Sequence, residues 1–208
     1  MFIRRCFKAT LKTSMVAGLI LTAASGLTRP ALADATTATD HIASLSQNAI
    51  TVLADSQLTE AQKAVELHTL FVDGFDIKTL SRTVLGRHWR RADDSQRAAY
   101  MQAFERYVVK TYVRRLSQLD ELAVEIKGSR AIDEKDTMVT TVFAGPDSQS
   151  LKIDWRVRER DGGFKIIDVV VENVSMAVTQ RSEFASLIRS NGGKLDVLIA
   201  ALEKKAAA

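Results

Sequence analysis

The residues of this chain that could perform chemistry are few and scattered. Histidine occurs only as His41, His68 and His88, and no pair has the i, i+4 spacing with which a helix holds zinc. No Gly-rich phosphate loop, nucleophile elbow or Ser/His/Asp set is recognisable. The sequence therefore predicts no metal site, no cofactor and no nucleophilic active site.

Three carboxylates invite a catalytic interpretation. Asp168 lies inside an apolar strand pattern, where burial would raise its pKa and suit a general base. The structural alternative, which we favour, is that Asp168 faces outward or pairs with Arg156 or Arg158 across a hairpin. Asp73 and Asp76 could flank a sugar bond as paired carboxylates. A turn residue and a helix N-cap explain that pair more simply.

A run of basic residues surrounds Trp89. Arg87, Arg90 and Arg91 could bind an anionic headgroup, because guanidinium groups bind phosphate in a bidentate manner. A solvated charge run explains the same residues at least as well. The sequence leaves both interpretations open.

The first 33 residues have the pattern of a secretory signal peptide. A basic start precedes the apolar run Met15 to Leu27, and Ala31-Leu32-Ala33 supplies a small-x-small cleavage site. The apolar run is shorter than the roughly 20 residues that span a bilayer. We therefore expect a signal peptide at 1–33, a domain at 34–208, and a periplasmic location.

Cleavage of this segment changes the electrostatic interpretation. The full chain has 29 basic and 25 acidic side chains and a formal charge of +4. Five basic residues and no acidic residue lie in 1–33, so the remaining chain carries a formal charge of −1. A high isoelectric point is therefore no evidence for nucleic-acid binding. The only cysteine, Cys6, also leaves with the segment, which excludes disulfides and thiol chemistry from the domain.

The remaining pattern predicts helices, then strands, then helices. Apolar residues at helical spacing predict an aromatic helix from about Asp94 to Leu119, with Asp93 and Gln96 as a capping box. The other predicted helices are 41–53, one beginning at Thr59 with the face Ala61, Val65, Leu67, Leu70 and Phe71, 76–85 closed by Gly86, 182–190, and 194–203 after the turn Asn191-Gly192-Gly193.

Alternating apolar and polar residues predict strands in the middle of the chain. The predicted strands are 122–127, 138–143, 152–160 and 164–172, and Asp161-Gly162-Gly163 predicts an antiparallel hairpin between the last two. Only two prolines and no flexible linker interrupt the pattern. The sequence therefore predicts one α+β domain.

Several motifs in this order resemble the MlaC family of periplasmic phospholipid-binding proteins, which are also known as toluene-tolerance or ABC-transporter auxiliary proteins. The resemblance covers roughly Leu45 to Leu202. It rests on Phe75-Asp76-Ile77, Val84-Leu85-Gly86-Arg87-His88-Trp89-Arg90, Gln96, Phe104, Tyr112, Trp155-Arg156-Val157, Asp161-Gly162-Gly163, Lys165 to Val169, Glu172 to Met176, Arg181-Ser182-Glu183-Phe184 and Asn191-Gly192-Gly193. Many members carry tyrosine where this chain has Gln180 and glycine where it has Asn173.

The resemblance implies a curved antiparallel sheet packed against helices around a deep apolar cavity that holds acyl chains. Exposing two chains of about 30 carbons in total would cost roughly 25 kcal/mol, so a carrier must enclose them. The apolar residues that we expect to line the cavity are Phe75, Leu80, Val84, Leu85, Trp89, Tyr100, Phe104, Tyr107, Val108, Tyr112, Val142, Ile153, Trp155, Val157 and Ile166.

The resemblance also implies a function in maintaining the lipid asymmetry of the outer membrane. The protein would carry diacyl phospholipid between an outer-membrane lipoprotein–porin complex and an inner-membrane ABC transporter with an MCE-domain subunit. A hopanoid-associated branch shares the pattern, which leaves the lipid class open. Two alternatives from other classes are a periplasmic enzyme with Asp168 as base and an interaction adaptor whose apolar faces are only core.

Overall fold

The computed structural model describes residues 31–116, 123–144, 150–160 and 163–207, with side chains over 38–112 of the first range. All but the last three residues of the predicted signal peptide, together with Cys6 and Asp161-Gly162, lie outside these ranges. The signal peptide therefore stays a prediction.

The described residues form six α-helices, one short 3-10 helix and a sheet. Four helices precede the sheet and two follow it. They are α1 (Ala31–Ala54), α2 (Glu60–Gly74), α3 (Ile77–Leu85), the 3-10 helix Gly86–Arg90, α4 (Asp94–Leu116), α5 (Met176–Ser190) and α6 (Leu195–Ala207). Two helices begin earlier than the sequence predicts: α1 starts before His41, and α5 starts at Met176 because Ser175 is its N-cap.

Side-chain caps fix the other helix starts where the sequence places them. Thr59 and Gln62 form a reciprocal capping box before α2. The Asp76 carboxylate accepts a hydrogen bond from the backbone N–H of Thr79, in the first turn of α3. Asp93 and Gln96 exchange side-chain to backbone hydrogen bonds at the start of α4, with N–O distances of 2.8 and 3.4 Å. The predicted caps are confirmed.

The sheet has five strands in the order β1-β2-β3-β4-β5, and every described strand pair is antiparallel. The strands are β1 (Ala123–Ala131), β2 (Asp136–Ala144), β3 (Ser150–Arg160), β4 (Gly163–Val171) and β5 (Val174–Ser175). The predicted hairpin pairing is confirmed, since Arg160 pairs with Gly163. The sheet is open, and the α+β prediction is confirmed.

The two faces of the sheet differ in chemistry. Val139 pairs with Trp155 and packs under α1, so this face is the inner one. The next residues along each strand point the opposite way. Thr140 donates a hydrogen bond to Asp154 on that outer face, with an O–O distance of 2.5 Å. Val142 has the same parity as Thr140 and therefore lies on the outer face, opposite Lys152.

The apolar residues form two separate cores. The helical core is buried between α3, α4, α5 and α6, and the sheet core lies where α1 crosses the inner face. The fully buried members of the helical core include Tyr100, Ile188, Leu198 and Leu202. Those of the sheet core include Ile42, Val139, Val157 and Ile166.

The predicted buried face of α2 is wrong at its first turns. Ala61 and Val65 are exposed, with 64% of Val65 accessible to solvent. The buried stripe lies further along the helix, at Leu67 and Gly74. The Leu45 side chain packs so closely on Gly74 that a Cβ there would lie 2.7 Å from Leu45 Cδ2. The contact with α1 therefore buries the C-terminal part of α2 and not its first turns.

The turn between β4 and β5 explains one departure from the resemblance. Glu172 and Asn173 have φ angles of 47° and 66°, as a two-residue hairpin with both φ positive requires. Glycine suits such a position best, and asparagine is the side chain that tolerates it next best. Asn173 is therefore compatible with this turn although it is not glycine.

Candidate functional site

Asp168 holds the junction between β4 and α5. Its carboxylate accepts hydrogen bonds from Ser175 Oγ at 2.6 Å, from Val169 N at 2.8 Å and from Ala177 N at 3.1 Å. Of the two predicted alternatives, the pairing with Arg156 or Arg158 is wrong, because both guanidiniums bind Asp136. The other alternative agrees with the strand register, in which Asp168 lies opposite Arg156 on the outer face. The bonds of Asp168 instead cap the start of a helix, which is a structural use of the side chain.

We expect Asp168→Asn to lower the free energy of unfolding by about 1–2 kcal/mol, because the amide replaces one of the two acceptor oxygens. Urea titration measures the change, and Asp40→Asn, at an exposed position of α1, is the matched control. Unchanged stability together with loss of a hydrolytic or isomerase activity would contradict this assignment and favour a general base.

Asp73 and Asp76 do not act as a pair. Asp76 caps α3 and forms an ion pair with Arg160 at 3.0 Å. Burial alone would raise the pKa of Asp76, but hydrogen bonds from Thr79 and the charge of Arg160 hold that pKa below its ordinary value. Asp73 is exposed, and its backbone carbonyl accepts a hydrogen bond from the Lys165 ammonium. The N-cap interpretation of Asp76 is confirmed. The turn interpretation of Asp73-Gly74 is wrong, because both residues lie in the last turn of α2.

No sequence pattern pointed to Asp136, the most buried carboxylate among the described residues. Asp136 begins β2, and its side chain is fully buried between two arginines. Arg158 reaches both carboxylate oxygens, at 2.5 and 2.8 Å, and Arg156 Nη2 lies 2.5 Å from Oδ2. Burial would raise the pKa of Asp136, but these hydrogen bonds outweigh it and lower the pKa. Arg156 also contacts Asp133 at 3.6 Å.

The histidines lie apart. His41 Nε2 is 3.5 Å from the Gly74 carbonyl oxygen, and His68 faces Glu105 at 3.8 Å. His88 is buried, and its Nε2 atom has no hydrogen-bond partner. Burial lowers the pKa of both His41 and His88. Within the described ranges, no cluster of His, Cys, Asp or Glu is arranged to hold a metal ion.

The structure divides the predicted lining residues between the two cores. The helical core contains or contacts Leu80, Val84, Leu85, Trp89, Tyr100, Phe104, Tyr107, Val108 and Tyr112. The sheet core contains or contacts Phe75, Trp155, Val157 and Ile166. Ile153 lies on the inner face beside Trp155, whereas Val142 lies on the outer face.

Phe71 connects the two cores, although the sequence set omits it. Its ring stacks on Phe75 with a centroid distance of 4.2 Å and an interplanar angle of 17°. It also lies 6.4 Å from Tyr112, nearly parallel to that ring. We call Phe71, Phe75 and Tyr112 the aromatic seam. Apolar residues at helical spacing predicted that Phe71 is buried. Its contact with Phe75 could not be predicted, because it depends on α2 ending at Gly74.

Residues of the seam and the inner face beside it remain half-buried. Phe71, Phe75, Tyr112, Ile153 and Trp155 all keep part of their surface accessible. The Trp155 indole donates to Thr141 Oγ1 at 2.8 Å, which fixes the ring on the inner face. A fully packed core would bury such large apolar groups more completely. The half-buried set therefore marks the apolar surface on which a ligand could pack.

Tyr100, Val157 and Ile166 differ, because they are inaccessible. The Tyr100 hydroxyl donates to the Ser81 carbonyl at 3.1 Å, and burial raises its pKa. This hydrogen bond ties α3 to α4. Tyr100 belongs to the helical core, and Val157 and Ile166 belong to the sheet core.

Two of the motifs behind the resemblance meet in the structure. Gly86 has φ +58°, and a Cβ there would lie only 2.5 Å from Arg181 Nε. Glycine is therefore required both for the backbone conformation and for the approach of the arginine. The neighbouring Gln180 accepts a hydrogen bond from the Tyr107 hydroxyl at 3.4 Å. The motif of α3 thus positions the start of α5.

An open antiparallel sheet packed against helices, with an apolar seam beside it, places the protein in a class of α+β binding folds. No described helix is long and apolar enough to cross a bilayer. The family model for MlaC protein matches residues 43–204. The chain therefore belongs to the MlaC family.

The chain is also similar to two individual proteins. The chain is 21% identical over 125 residues to the toluene tolerance protein ttg2D of Pseudomonas putida, covering 60% of this chain and 58% of that protein. It also superposes on a phospholipid-binding protein of Ralstonia solanacearum, solved in complex with a phospholipid, with a TM-score of 0.71 and 22% identity. That match covers 82% of this chain and 97% of the other. It establishes the shared fold.

Proposed function

We propose that this protein binds a diacyl phospholipid with its acyl chains against the aromatic seam and the inner face of the sheet. The observation that carries the proposal is the half-buried seam of Phe71, Phe75 and Tyr112 between two otherwise buried cores. Membership of the MlaC family and the fold shared with a phospholipid-bound protein support it.

The seam supplies apolar surface of the kind that such a ligand requires. Each methylene moved from water to an apolar surface contributes about 0.8 kcal/mol. Aromatic rings provide large, rigid surfaces for this contact. Ile153 and Trp155 extend the surface from the seam across the sheet. Of the expected lining residues, Val142 does not belong to this surface, because it lies on the outer face.

The protein then serves as a periplasmic carrier with no reaction of its own. It takes phospholipid between an outer-membrane lipoprotein–porin complex and an inner-membrane ABC transporter with an MCE-domain subunit, and so helps to maintain lipid asymmetry. The name of the Pseudomonas relative links the family to toluene tolerance. A hopanoid-associated carrier is the nearest alternative, and it requires the same apolar seam.

An enzyme using the same surface requires a reactive group beside it. The candidate for such a group, Asp168, instead accepts hydrogen bonds from Ser175 and Ala177 at the start of α5. Asp76, next to Phe75 of the seam, caps α3 and pairs with Arg160, so this carboxylate also has a structural use. These observations favour a binding function.

We expect the purified protein to contain about one phospholipid per chain, because a ligand with roughly 30 buried carbons dissociates very slowly. Native mass spectrometry followed by organic extraction measures the lipid and its class. A periplasmic protein of similar size without an apolar seam is the control. Lipid at the level of that control would contradict the carrier, and a bound hopanoid would reassign its cargo.

A further inference from the structure

Five arginines surround Trp89 on one surface of the protein. Arg82 and Arg97 approach the Trp89 ring, with guanidinium carbons 5.4 and 5.6 Å from the ring centre. Arg97 Nε also donates to the Trp89 carbonyl at 3.1 Å. The other three arginines lie on or next to the 3-10 helix. The arginine patch comprises Arg82, Arg87, Arg90, Arg91 and Arg97.

The 3-10 helix exposes three arginines of the patch together. Residues three apart eclipse in such a helix, so Arg87 and Arg90 project from the same side. Arg91 follows directly and is exposed, as are Arg87 and Arg90. His88 lies beneath them, where burial and then the charges of Arg87 and Arg91 lower its pKa. The buried imidazole is therefore neutral at neutral pH, and the arginines carry the charge of the surface.

Most of the charge of the patch is not neutralised. Arg97 pairs with Asp94 at 3.0 Å. Among the described residues, no carboxylate forms an ion pair with the other four arginines of the patch, and the segment 82–91 contains no acidic residue. The domain expected after cleavage is close to neutral. The patch is therefore a local positive surface that attracts an anionic partner.

The composition of the patch favours a layer of phosphates over a protein surface. Protein interfaces depend on a desolvated apolar centre. The large apolar side chains that are exposed in the described parts of the chain all lie elsewhere: Val65, Ile132, Leu151, Val174 and Val178. Guanidinium groups bind phosphate oxygens in a bidentate manner. Tryptophan at the centre is typical of membrane interfaces.

We propose that the arginine patch docks the protein reversibly on the phosphate layer of an anionic phospholipid bilayer. The proposal rests on the proposed function, because a phospholipid carrier needs a bilayer or a bilayer complex at each end of its path. Each arginine near an anionic surface strengthens binding about fivefold. Salt screens this attraction over about 8–10 Å, so docking is reversible and salt-sensitive.

The test is flotation with vesicles of phosphatidylcholine, with and without about one third phosphatidylglycerol. We expect binding to the anionic vesicles at low salt, loss of binding as salt rises, and little binding to the neutral vesicles. The combined variant Arg87→Gln, Arg90→Gln and Arg91→Gln lowers binding about a hundredfold. The pair Arg87→Gln and Arg91→Gln, about 25-fold weaker, serves if the triple variant does not fold.

The matched control is Arg130→Gln with Arg189→Gln, two exposed arginines on other elements. This control removes two positive charges, as the pair variant does, and should keep most of the binding. Binding that is equal for the triple variant and the control, or no binding of the wild type to anionic vesicles, overturns the proposal. If the wild type binds an acidic protein, the triple variant does not, and neither binds vesicles, the patch is assigned to a protein partner instead.

Native mass spectrometry of the triple variant separates this proposal from the proposed function. We expect the variant to retain its bound phospholipid, since the patch lies outside the aromatic seam. If neither the wild type nor the triple variant contains lipid, the proposed carrier function is wrong. The flotation result still decides whether the arginine patch binds a bilayer.

Discussion

Asp136→Asn lowers the free energy of unfolding by about 2–4 kcal/mol. Removing one partner of a buried ion pair costs roughly 3–5 kcal/mol, because the other charge is left unpaired. Here Arg156 and Arg158 keep 37% and 29% of their side-chain surface exposed and can regain water. The expected loss is correspondingly smaller. Urea titration at neutral pH measures it.

Glu125→Gln is the matched control for this variant. Glu125 forms an exposed ion pair with Lys127 at 2.6 Å on the same sheet, and exposed pairs contribute only about 0–1 kcal/mol. If both variants lose equal stability, the buried triad has no special role.

The lowered pKa of Asp136 adds a pH signature to the same experiment. In the unfolded chain Asp136 takes up a proton near its ordinary pKa of 3.8, whereas in the folded protein it resists protonation. The stability from this carboxylate is therefore present above pH 3.8 and lost as pH falls through the folded pKa. Asp136→Asn should remove that part of the acid destabilisation. Asp76, whose pKa is also lowered, retains its own part.

Local signals predicted most of the helix ends and strands. The capping boxes at Thr59 and Asp93 involve residues three apart, so the sequence alone contains both partners. The start of α5 was missed because its cap, Ser175, is itself held by Asp168 seven residues away. The strand positions were predicted by alternation, which depends only on the burial of one face.

Contacts set by strand register could not be predicted. Asp136 meets Arg156 and Arg158 across β2 and β3, at separations of 20 and 22 residues. A single sequence does not fix that register. Val142 was misplaced for a related reason: Thr140, Thr141 and Val142 are all β-branched and do not alternate in polarity. The face of this strand became clear only from its pairing with β3.

Ile153→Trp weakens phospholipid binding about 30-fold, if the inner face beside the aromatic seam holds the acyl chains. Ile153 is half-buried and lies on the same face as Trp155. The larger side chain would displace about two to three methylenes of the ligand, and each contributes about 0.8 kcal/mol. The resulting loss is about 2 kcal/mol. Because the space would belong to the ligand, the melting transition should remain cooperative and near that of the wild type.

Val142→Trp provides the matched control, because it places the same side chain on the outer face of the same sheet. Each variant is mixed with an equal amount of isotope-labelled wild type and limiting phospholipid, and native mass spectrometry gives the ratio of the two lipid-bound forms. A ratio near one is expected for Val142→Trp and about thirty to one in favour of wild type for Ile153→Trp. If Ile153→Trp also binds as wild type does, the acyl chains lie elsewhere. If it instead loses about 1–3 kcal/mol of stability, as overpacking of a filled core does, then Ile153 belongs to the core and the ligand does not reach it.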